Sequence, residues 1–314
     1  MDNKEIIELL RADMRGEHQA IIQYLFHAYN MAEGEITCEV ETISREEMRH
    51  FERLGHAIVE LGGDPTIDRE PVDFAVGSPK EMLLKDADLE QVAIDQYRDH
   101  IERIDNPKIR RLLARILHDE LVHKGDFQGL ADEAEEEGQE LAAPPDVEAP
   151  ERQEDILNSG IRHEYTVILQ YLYHYFVAEG KMLSEELENI AINEMQHMGW
   201  LGEALGERGG NLDMNHTEPF LSRDPEANLQ ANIDVEQEVT GDYSNQAPEL
   251  QDEELVELVE RIRDHEIYHD AVFKDLLEQV REEKAVKSEQ STEKETPAEL
   301  KPRQIPTVGS LKKK

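Results

Sequence analysis

The sequence has a single cysteine, no long apolar run and few basic residues, and each shortage excludes a class of protein. Among 314 residues only Cys38 is a cysteine, so no disulfide can form within the chain, which fits a reducing cytoplasm. No apolar run approaches the length of a membrane span. The N-terminus, MDNKEIIELLRADM, lacks the basic and apolar regions of a signal peptide. We therefore expect a cytoplasmic protein with no membrane partner.

Basic residues are scarce because acidic ones dominate the charge. Lys and Arg total 33 against 72 Asp and Glu, for a formal net charge of −39. This charge argues against nucleic acid and anionic membranes as partners, since both are polyanions. Two compatible interpretations follow: a solvated surface suited to a salty cytoplasm, and a surface that gathers cations such as Fe²⁺.

Apolar residues recur at helical spacing through most of the chain, and no segment has the alternation of a β-strand. Gly62-Gly63-Asp64-Pro65 and Gly209-Gly210 are stop signals, and Ser78-Pro79 and Asn106-Pro107 are start signals. We predict an all-α fold of eight helices in two tandem four-helix bundles, with a long connection between the second and third helix of each. The expected helices cover about 3–32, 37–61, 79–104, 107–137, 151–179, 183–206, a segment ending near 245, and 248–283.

A short motif, Glu-x-x-His, occurs four times in matching contexts. Residues three apart lie about 60° apart around a helix axis, so each motif directs a carboxylate and an imidazole towards one point. One such motif is weak evidence for a metal site, whereas four at regular spacing are strong evidence. The copies are Glu47–His50, Glu120–His123, Glu194–His197 and Glu266–His269.

The two halves of the chain are copies of one another. Glu17 and Glu47 recur 147 residues later, whereas Glu120 and His123 recur 146 residues later. One single-residue deletion between the second and third helices reconciles the two offsets. A repeat of this length is a whole domain. The predicted boundaries are a first domain at 1–138, a linker at 139–150, a second domain at 151–283, a disordered linker at 284–304 and a terminal motif at 305–314.

Both halves resemble the ferritin-like superfamily over about residues 3–283. The form Glu-Met-x-His, at Glu47–His50 and Glu194–His197, is similar to that of bacterioferritin and rubrerythrin relatives. The resemblance implies bundles in which one Glu from each of two helices and Glu-x-x-His from each of the other two hold two iron ions. It also implies oxidation of Fe²⁺ to Fe³⁺ by O₂ or peroxide.

By this resemblance the second half holds a complete set of six metal ligands, and the first half is one ligand short. Val92 stands where the second half has Glu238, and Glu90, two residues earlier, lies about 160° away around the helix. The first site would bind one metal, bind two weakly or be a degenerate half kept for its shape, and we favour a weakened or single-metal site. The expected ligands are Glu164, Glu194, His197, Glu238, Glu266 and His269 in the second half, and Glu17, Glu47, His50, Glu120 and His123 in the first.

Two tyrosines and two methionines are further candidates. Tyr24 and Tyr171 each follow the first-helix Glu by seven residues, two helical turns. They are either core aromatics or hydroxyls beside the metals that supply an electron or orient a ligand. Met48 and Met195 occupy the position that ligates haem across a two-fold interface in bacterioferritins, so the resemblance leaves haem open as a cofactor, with core filling as the alternative.

The C-terminal motif resembles the cargo-loading peptide of encapsulin nanocompartments, whose core is Thr-Val-Gly-Ser-Leu. The matching residues are Thr307, Val308, Gly309, Ser310 and Leu311. We expect the two apolar side chains to enter apolar pockets of the shell protein, with the glycine permitting a close turn. An ordinary basic tail is the alternative.

Together these features predict a di-iron ferroxidase for iron storage, carried in the cytoplasm inside an encapsulin shell. One alternative is a peroxide-scavenging enzyme with iron or Mn²⁺, since hard carboxylates and imidazoles suit either ion. The sequence has no rubredoxin-type cysteine pairs, which argues against a rubrerythrin-like form of this alternative. A second alternative is a haem-carrying electron-transfer or iron-release partner. A homo-oligomer also remains open.

Overall fold

The computed structural model describes the backbone of residues 1–144 and 147–295, and the side chains within these ranges up to residue 286. Within these ranges every regular element is helical, apart from one isolated bridge between Met31 and Leu141. The predicted all-α fold of eight α-helices is confirmed, with one short 3₁₀ turn added at Ala247–Glu249. The helices are α1 Asn3–Tyr29, α2 Glu35–Glu60, α3 Pro79–Arg103, α4 Pro107–Glu137, α5 Glu151–Val177, α6 Lys181–Glu207, α7 Pro225–Gln246 and α8 Glu253–Glu295.

Local signals account for most of the helix ends. Ser78 caps α3 through a reciprocal capping box with Glu81, and Pro79 occupies the first turn, where its missing N–H costs nothing. Asn106 caps α4 in the same region of the bundle. Gly138 ends α4 with φ of 73°, a left-handed conformation that favours glycine. The predicted start of the last helix near 248 was early, because the 3₁₀ turn precedes α8.

The predicted end of the second domain at 283 does not coincide with a helix end, since α8 continues to Glu295. The interval between α4 and α5 contains the predicted linker at 139–150. The remainder of the predicted tail, including the motif at 305–314, lies outside the described residues.

Each half forms a bundle from two antiparallel helix pairs. In the first half α1 packs on α2 and α3 packs on α4, and in the second half α5 packs on α6 and α7 packs on α8. The long connections cross the outside of the first helix in each bundle: Gln19 on α1 donates to the Pro71 carbonyl, and Asn158 on α5 donates to the Asn211 carbonyl. These crossovers place all four helices of each bundle around one buried axis.

The two bundles meet through α1 and α2 on one side and α5 and α6 on the other. Gly55 on α2 lies against the ring of Phe176, and Gly202 on α6 lies against the ring of Tyr29; a Cβ at either glycine would approach the ring to 2.7 or 2.6 Å. Both contacts pair residues related by the repeat, since the glycines and the aromatics each differ by 147. The interface is therefore pseudo-two-fold, as in an isologous dimer.

None of the helices in residues 1–144 and 147–295 is both long and apolar enough to span a bilayer.

Candidate metal centres

The second bundle brings six buried ligands to its axis, from all four helices. They form two overlapping groups of four in which the potential ligand atoms all lie within 4.8 Å of one another. Glu194 and Glu266 belong to both groups, so they are placed to bridge two metal ions. The six are Glu164 on α5, Glu194 and His197 on α6, Glu236 on α7, and Glu266 and His269 on α8.

The first bundle repeats the arrangement with its own six residues. Glu47 and Glu120 belong to both of its groups and correspond by the repeat to the bridging pair of the second bundle. All six side chains are buried. They are Glu17 on α1, Glu47 and His50 on α2, Glu90 on α3, and Glu120 and His123 on α4.

The structure corrects the prediction of which third-helix residue faces the metals. Glu238 is exposed, whereas Glu236, two residues earlier, is 1% exposed and belongs to the cluster. In the first bundle Val92 is 62% exposed, and Glu90 is 1% exposed and in the cluster. Residues two apart on a helix lie on nearly opposite faces, so the wrong register moved the ligand from the core to the surface.

The prediction of an incomplete first site is therefore wrong, because both bundles hold the full set. A signal for the correct register was present in the sequence. Tyr97 follows Glu90 by seven residues, as Tyr243 follows Glu236, and two turns bring such pairs onto one helix face.

The imidazoles of both bundles present the same nitrogen to the carboxylates. His50 Nδ1 lies 2.7 Å from a Glu47 oxygen and 3.0 Å from a Glu120 oxygen. His197 Nδ1 lies 2.7 Å from Glu194 and 2.9 Å from Glu266. In every motif Nδ1 faces inward, so it is the nitrogen available to a metal, and Nε2 points away from the cluster.

Tyrosines hold the glutamates contributed by the first and third helices. The Tyr24 hydroxyl donates to Glu90 over 2.6 Å, and the Tyr171 hydroxyl donates to Glu236 over 2.5 Å. The sequence had placed these tyrosines near the metals without identifying the carboxylate they contact. Tyr97 and Tyr243, absent from the predicted site, donate in the same way to Glu17 and Glu164.

Crowding of carboxylates makes the metal-free clusters electrostatically costly. Burial first, and then the charges of neighbouring ligand carboxylates, raise the pKa of Glu17, Glu90 and Glu236 well above the usual range for glutamate. Histidine contacts act in the other direction at Glu47: although burial opposes the shift, hydrogen bonds with the two histidines of its bundle lower its pKa. The protons held here occupy the place that divalent cations would fill.

The histidines also retain protons in the metal-free clusters. Burial by itself would lower their pKa values, but hydrogen bonds and charges of the surrounding carboxylates raise the pKa of His123 to about 11, of His197 to about 12 and of His269 to about 9. Each must release its proton to bind a metal.

Unpaired ligand atoms show that the clusters fit metal ions. In the part of the chain that the structure describes, both carboxylate oxygens of Glu194 and one each of Glu164, Glu236 and Glu266 are buried without a hydrogen-bond partner. Buried acceptors without donors are rare and costly, and a shared cation would satisfy them together.

Met48 and Met195 lie outside these clusters and line a partly open cavity of about 550 Å³ between the two bundles. Its other lining residues are mostly apolar and aromatic, among them Phe51 and Trp200. The methionines are related by the repeat, so they approach the cavity from opposite sides of the pseudo-two-fold axis. Thr307, Val308, Gly309, Ser310 and Leu311, the predicted docking residues, lie outside the described residues.

Comparisons with known proteins agree with the repeat. The family model described as a ferritin-like domain matches the chain twice, at residues 7–137 and 154–283. A bacterioferritin of Desulfovibrio desulfuricans is 30% identical over 125 residues, which cover 38% of this chain and 70% of the relative. A solved structure of D. desulfuricans bacterioferritin, whose diiron site was studied in different catalytic states, is 28% identical and covers 43% of this chain and 82% of its own, with a TM-score of 0.41.

Proposed function

The chain belongs to the ferritin-like domain family, and from that premise we propose that it is a ferroxidase with one di-iron centre in each bundle, oxidising Fe²⁺ to Fe³⁺ for iron storage. One observation supports this more than any other: each bundle buries four carboxylates and two imidazoles around one axis. Hard oxygen ligands with one imidazole per metal suit a pair of Fe²⁺ ions.

Fe²⁺ is the substrate in this proposal, and the protein holds two ions together while they are oxidised. Two Fe²⁺ give up two electrons; with two protons these convert one O₂ to H₂O₂, or one H₂O₂ to two waters. The shared pair Glu194 and Glu266, like Glu47 and Glu120, is placed to contact both ions and supplies half of the negative charge that balances them. The four tyrosines orient the remaining glutamates by donating a hydrogen bond to one oxygen of each.

The direct test is Fe²⁺ oxidation by the full-length protein, followed by ultraviolet absorption with O₂ and with H₂O₂ supplied separately. The double variant Glu47→Ala/Glu194→Ala removes a shared ligand from each centre and should reduce the rate to that of Fe²⁺ in buffer. A rate equal to that of the unmodified protein would refute the proposal. Rapid disproportionation of H₂O₂ by Mn²⁺-loaded protein, without net Fe²⁺ oxidation, would instead favour the peroxide-scavenging alternative.

The cavity between the bundles favours a second candidate, haem binding for electron transfer or iron release. Met48 and Met195 line it from repeat-related positions, and its apolar and aromatic wall suits a flat apolar cofactor. If haem binds, the two thioethers would hold it, and it would supply one-electron chemistry. Protein reconstituted with haem should show a Soret band that the variant Met48→Ala/Met195→Ala shifts. No Soret band, or one unchanged in the variant, would remove this candidate.

We also propose that the chain is cargo of an encapsulin shell. The support is the resemblance of residues Thr307–Leu311 to the loading peptide. Co-expression with a shell protein should load the intact chain, and deletion of residues 305–314 should abolish loading while Fe²⁺ oxidation continues. A second variant, Val308→Asp, keeps the length of the tail but places a charge where an apolar side chain is expected to dock, so it should also abolish loading. Normal loading of both variants would refute the docking role.

A further inference from the structure

The two centres differ immediately outside their common ligands, at the histidine nitrogens that face away from the metals. In the first bundle both Nε2 atoms contact carboxylates. His123 Nε2 lies 2.9 Å from a Glu46 oxygen, and His50 Nε2 lies 3.4 Å from an Asp119 oxygen. Neither acid belongs to the inner cluster.

In the second bundle the same two positions are neutral. His265 stands at the repeat position of Asp119, and its Nδ1 lies 2.9 Å from His197 Nε2. Asn193 stands at the repeat position of Glu46, and its amide donates to the carbonyl of Asn189 on its own helix. The second bundle has thus exchanged two carboxylates for an imidazole and an amide.

The outer partner of a metal-bound histidine affects the metal through the shared proton. When Nδ1 binds the metal, Nε2 must carry the hydrogen and donate it. A carboxylate acceptor draws that proton outward, makes the imidazole more electron-rich and strengthens its bond to the metal. The neutral Nδ1 of His265 accepts the same hydrogen bond from His197 without contributing negative charge.

The difference matters most in the oxidised state. Four carboxylates balance two divalent ions, so a reduced centre is close to neutral, and oxidation of both ions adds two positive charges. In the first bundle Glu46 and Asp119 place two further carboxylates against the histidines, and Arg49, 3.8 Å from Glu46, offsets part of that negative charge. The side chains of Glu46 and Asp119 are 44% and 26% exposed, so solvent weakens the effect without removing it.

We propose that Glu46 and Asp119 make the first centre the tighter and more easily oxidised of the two, whereas His265 and Asn193 leave the second with weaker metal binding and a higher midpoint potential. The inference rests on the metal-binding part of the proposed function. These four are positioning residues that act through the histidines. The first centre then keeps its iron through turnover, and the second passes Fe³⁺ on.

The test measures one centre at a time in the full-length chain. Glu194→Ala/Glu266→Ala silences the second centre, and Glu47→Ala/Glu120→Ala silences the first. Co²⁺ serves as the probe, titrated by calorimetry and visible absorption, and the midpoint potential is then measured with iron. Loss of an outer partner typically costs about 10–100-fold in affinity, so the first centre should bind Co²⁺ at least about tenfold more tightly. A tenfold preference for the oxidised ion corresponds to about 59 mV per electron.

Exchanged substitutions identify the cause. Asp119→His should weaken the first centre and raise its potential, and His265→Asp should do the reverse in the second. Asp119→Asn keeps a hydrogen-bond acceptor but removes the charge, so it should behave like Asp119→His, and Asp119→Glu should restore the original values. Equal affinities and potentials in the two centres, or no response to the exchange in variants that melt normally, would overturn the inference.

The outcomes also separate this inference from the proposed function. No Co²⁺ binding in either bundle would overturn both. Equal Co²⁺ binding with normal Fe²⁺ oxidation would overturn only the inference. Unequal Co²⁺ binding that follows the exchange, without Fe²⁺ oxidation, would support the inference and refute the ferroxidase role.

Discussion

The first and second bundles share their inner ligands and differ in the residues around them. The six ligands of each cluster match through the repeat, and so do the four tyrosines that hold them. At four positions around them the first bundle has acids where the second has neutral residues. The pairs are Glu46 and Asn193, Asp119 and His265, Asp86 and Asn232, and Asp13 and Gly160.

One of these exchanges, Asp86 and Asn232, lies in the buried core and shows how each bundle compensates. Asp86 accepts a hydrogen bond from Gln23 and forms an ion pair with His27. Asn232 accepts a hydrogen bond from Gln170, and Nε2 of His174, the counterpart of His27, contacts the Phe220 carbonyl. A buried charge requires a partner, so replacing the acid by an amide removes the need for an ion pair. The six metal ligands are therefore the same in both bundles, whereas the charges around them differ. This difference in charge is a physical means by which the two centres can take different roles.

Metal removal should have the largest effect on the free energy of unfolding, and it compares the contributions of the two bundles. At a free metal concentration 100 times Kd, each bound ion should stabilise the fold by about 2.7 kcal/mol. A centre that binds two ions then contributes about 5 kcal/mol, and stripping both centres with a chelator should cost roughly 11 kcal/mol. Thermal melts with and without Co²⁺, on the two variants that silence one centre each, measure each share. If the melting temperature is the same with and without Co²⁺, the clusters do not bind the metal.

The next effect tests the corrected register of α3 and α7. Glu236→Ala should lower metal affinity at the second centre by more than about 100-fold, since even losses outside the ligand set cost roughly 10–100-fold. The matched control Glu238→Ala removes an exposed carboxylate and should change affinity less than about threefold. Calorimetric Co²⁺ titration compares them. A larger effect at Glu238 would restore the register first predicted from the sequence.

In the first bundle the corresponding pair is Glu90→Ala and Val92→Ala. Loss of Glu90 should be as damaging as loss of Glu236, while Val92→Ala should be silent because the side chain is exposed and apolar. The same titration, with the second centre silenced, provides the measurement. Full affinity in Glu90→Ala would mean that the first bundle has only five working ligands.

The stability of the metal-free protein should depend on pH well above neutrality in both bundles. A histidine whose pKa is raised on folding contributes stability that is complete below its unfolded pKa near 6.5 and is lost as the pH rises to the folded pKa. Loss proceeds at about 1.4 kcal/mol per pH unit for each such group. Within the second bundle the loss from His269 should finish near pH 9, while the loss from His197 should continue towards pH 12, as that from His123 in the first bundle continues towards pH 11.

Raised carboxyl pKa values act in the same direction, because Glu17, Glu90 and Glu236 must also hold protons to fold without metal. Denaturant unfolding of chelator-treated protein from pH 6 to pH 9 should therefore show falling stability, and Co²⁺ should reverse the trend by displacing the protons. Stability that rises with pH in the metal-free protein would contradict this account of the clusters.

The smallest expected effect falls where the bundles are alike. Tyr24→Phe and Tyr171→Phe each remove one hydroxyl that orients a ligand carboxylate, and each should weaken its own centre by about tenfold. Because the contacts to Glu90 and Glu236 are closely similar, the two losses should agree within about threefold. Single-centre Co²⁺ titrations measure both, and strongly unequal losses would show that the inner shells are not equivalent.

Residues within one helix were the best predicted from the sequence. Each Glu-x-x-His pair occupies one face because the helical repeat requires it, and Pro79 and Pro107 marked the starts of α3 and α4. The third-helix ligand was missed because an acidic helix offers two candidates. The spacing of Tyr243 seven residues after Glu236 favours Glu236, and the packing of α7 on its neighbours places Glu236 in the core and leaves Glu238 in solvent.

The sequence by itself determined the helical class, the duplication and ten of the twelve inner ligands, since these depend on spacing along the chain, which local helix geometry converts directly into a shared face. Only the tertiary structure decided that both centres are complete and that Met48 and Met195 line one cavity. It alone also showed that Glu46 and Asp119 contact His123 and His50, whereas the corresponding positions of the second bundle hold no acid. Such contacts join helices distant in sequence, and their rotation about their own axes is set by the packing of the whole bundle.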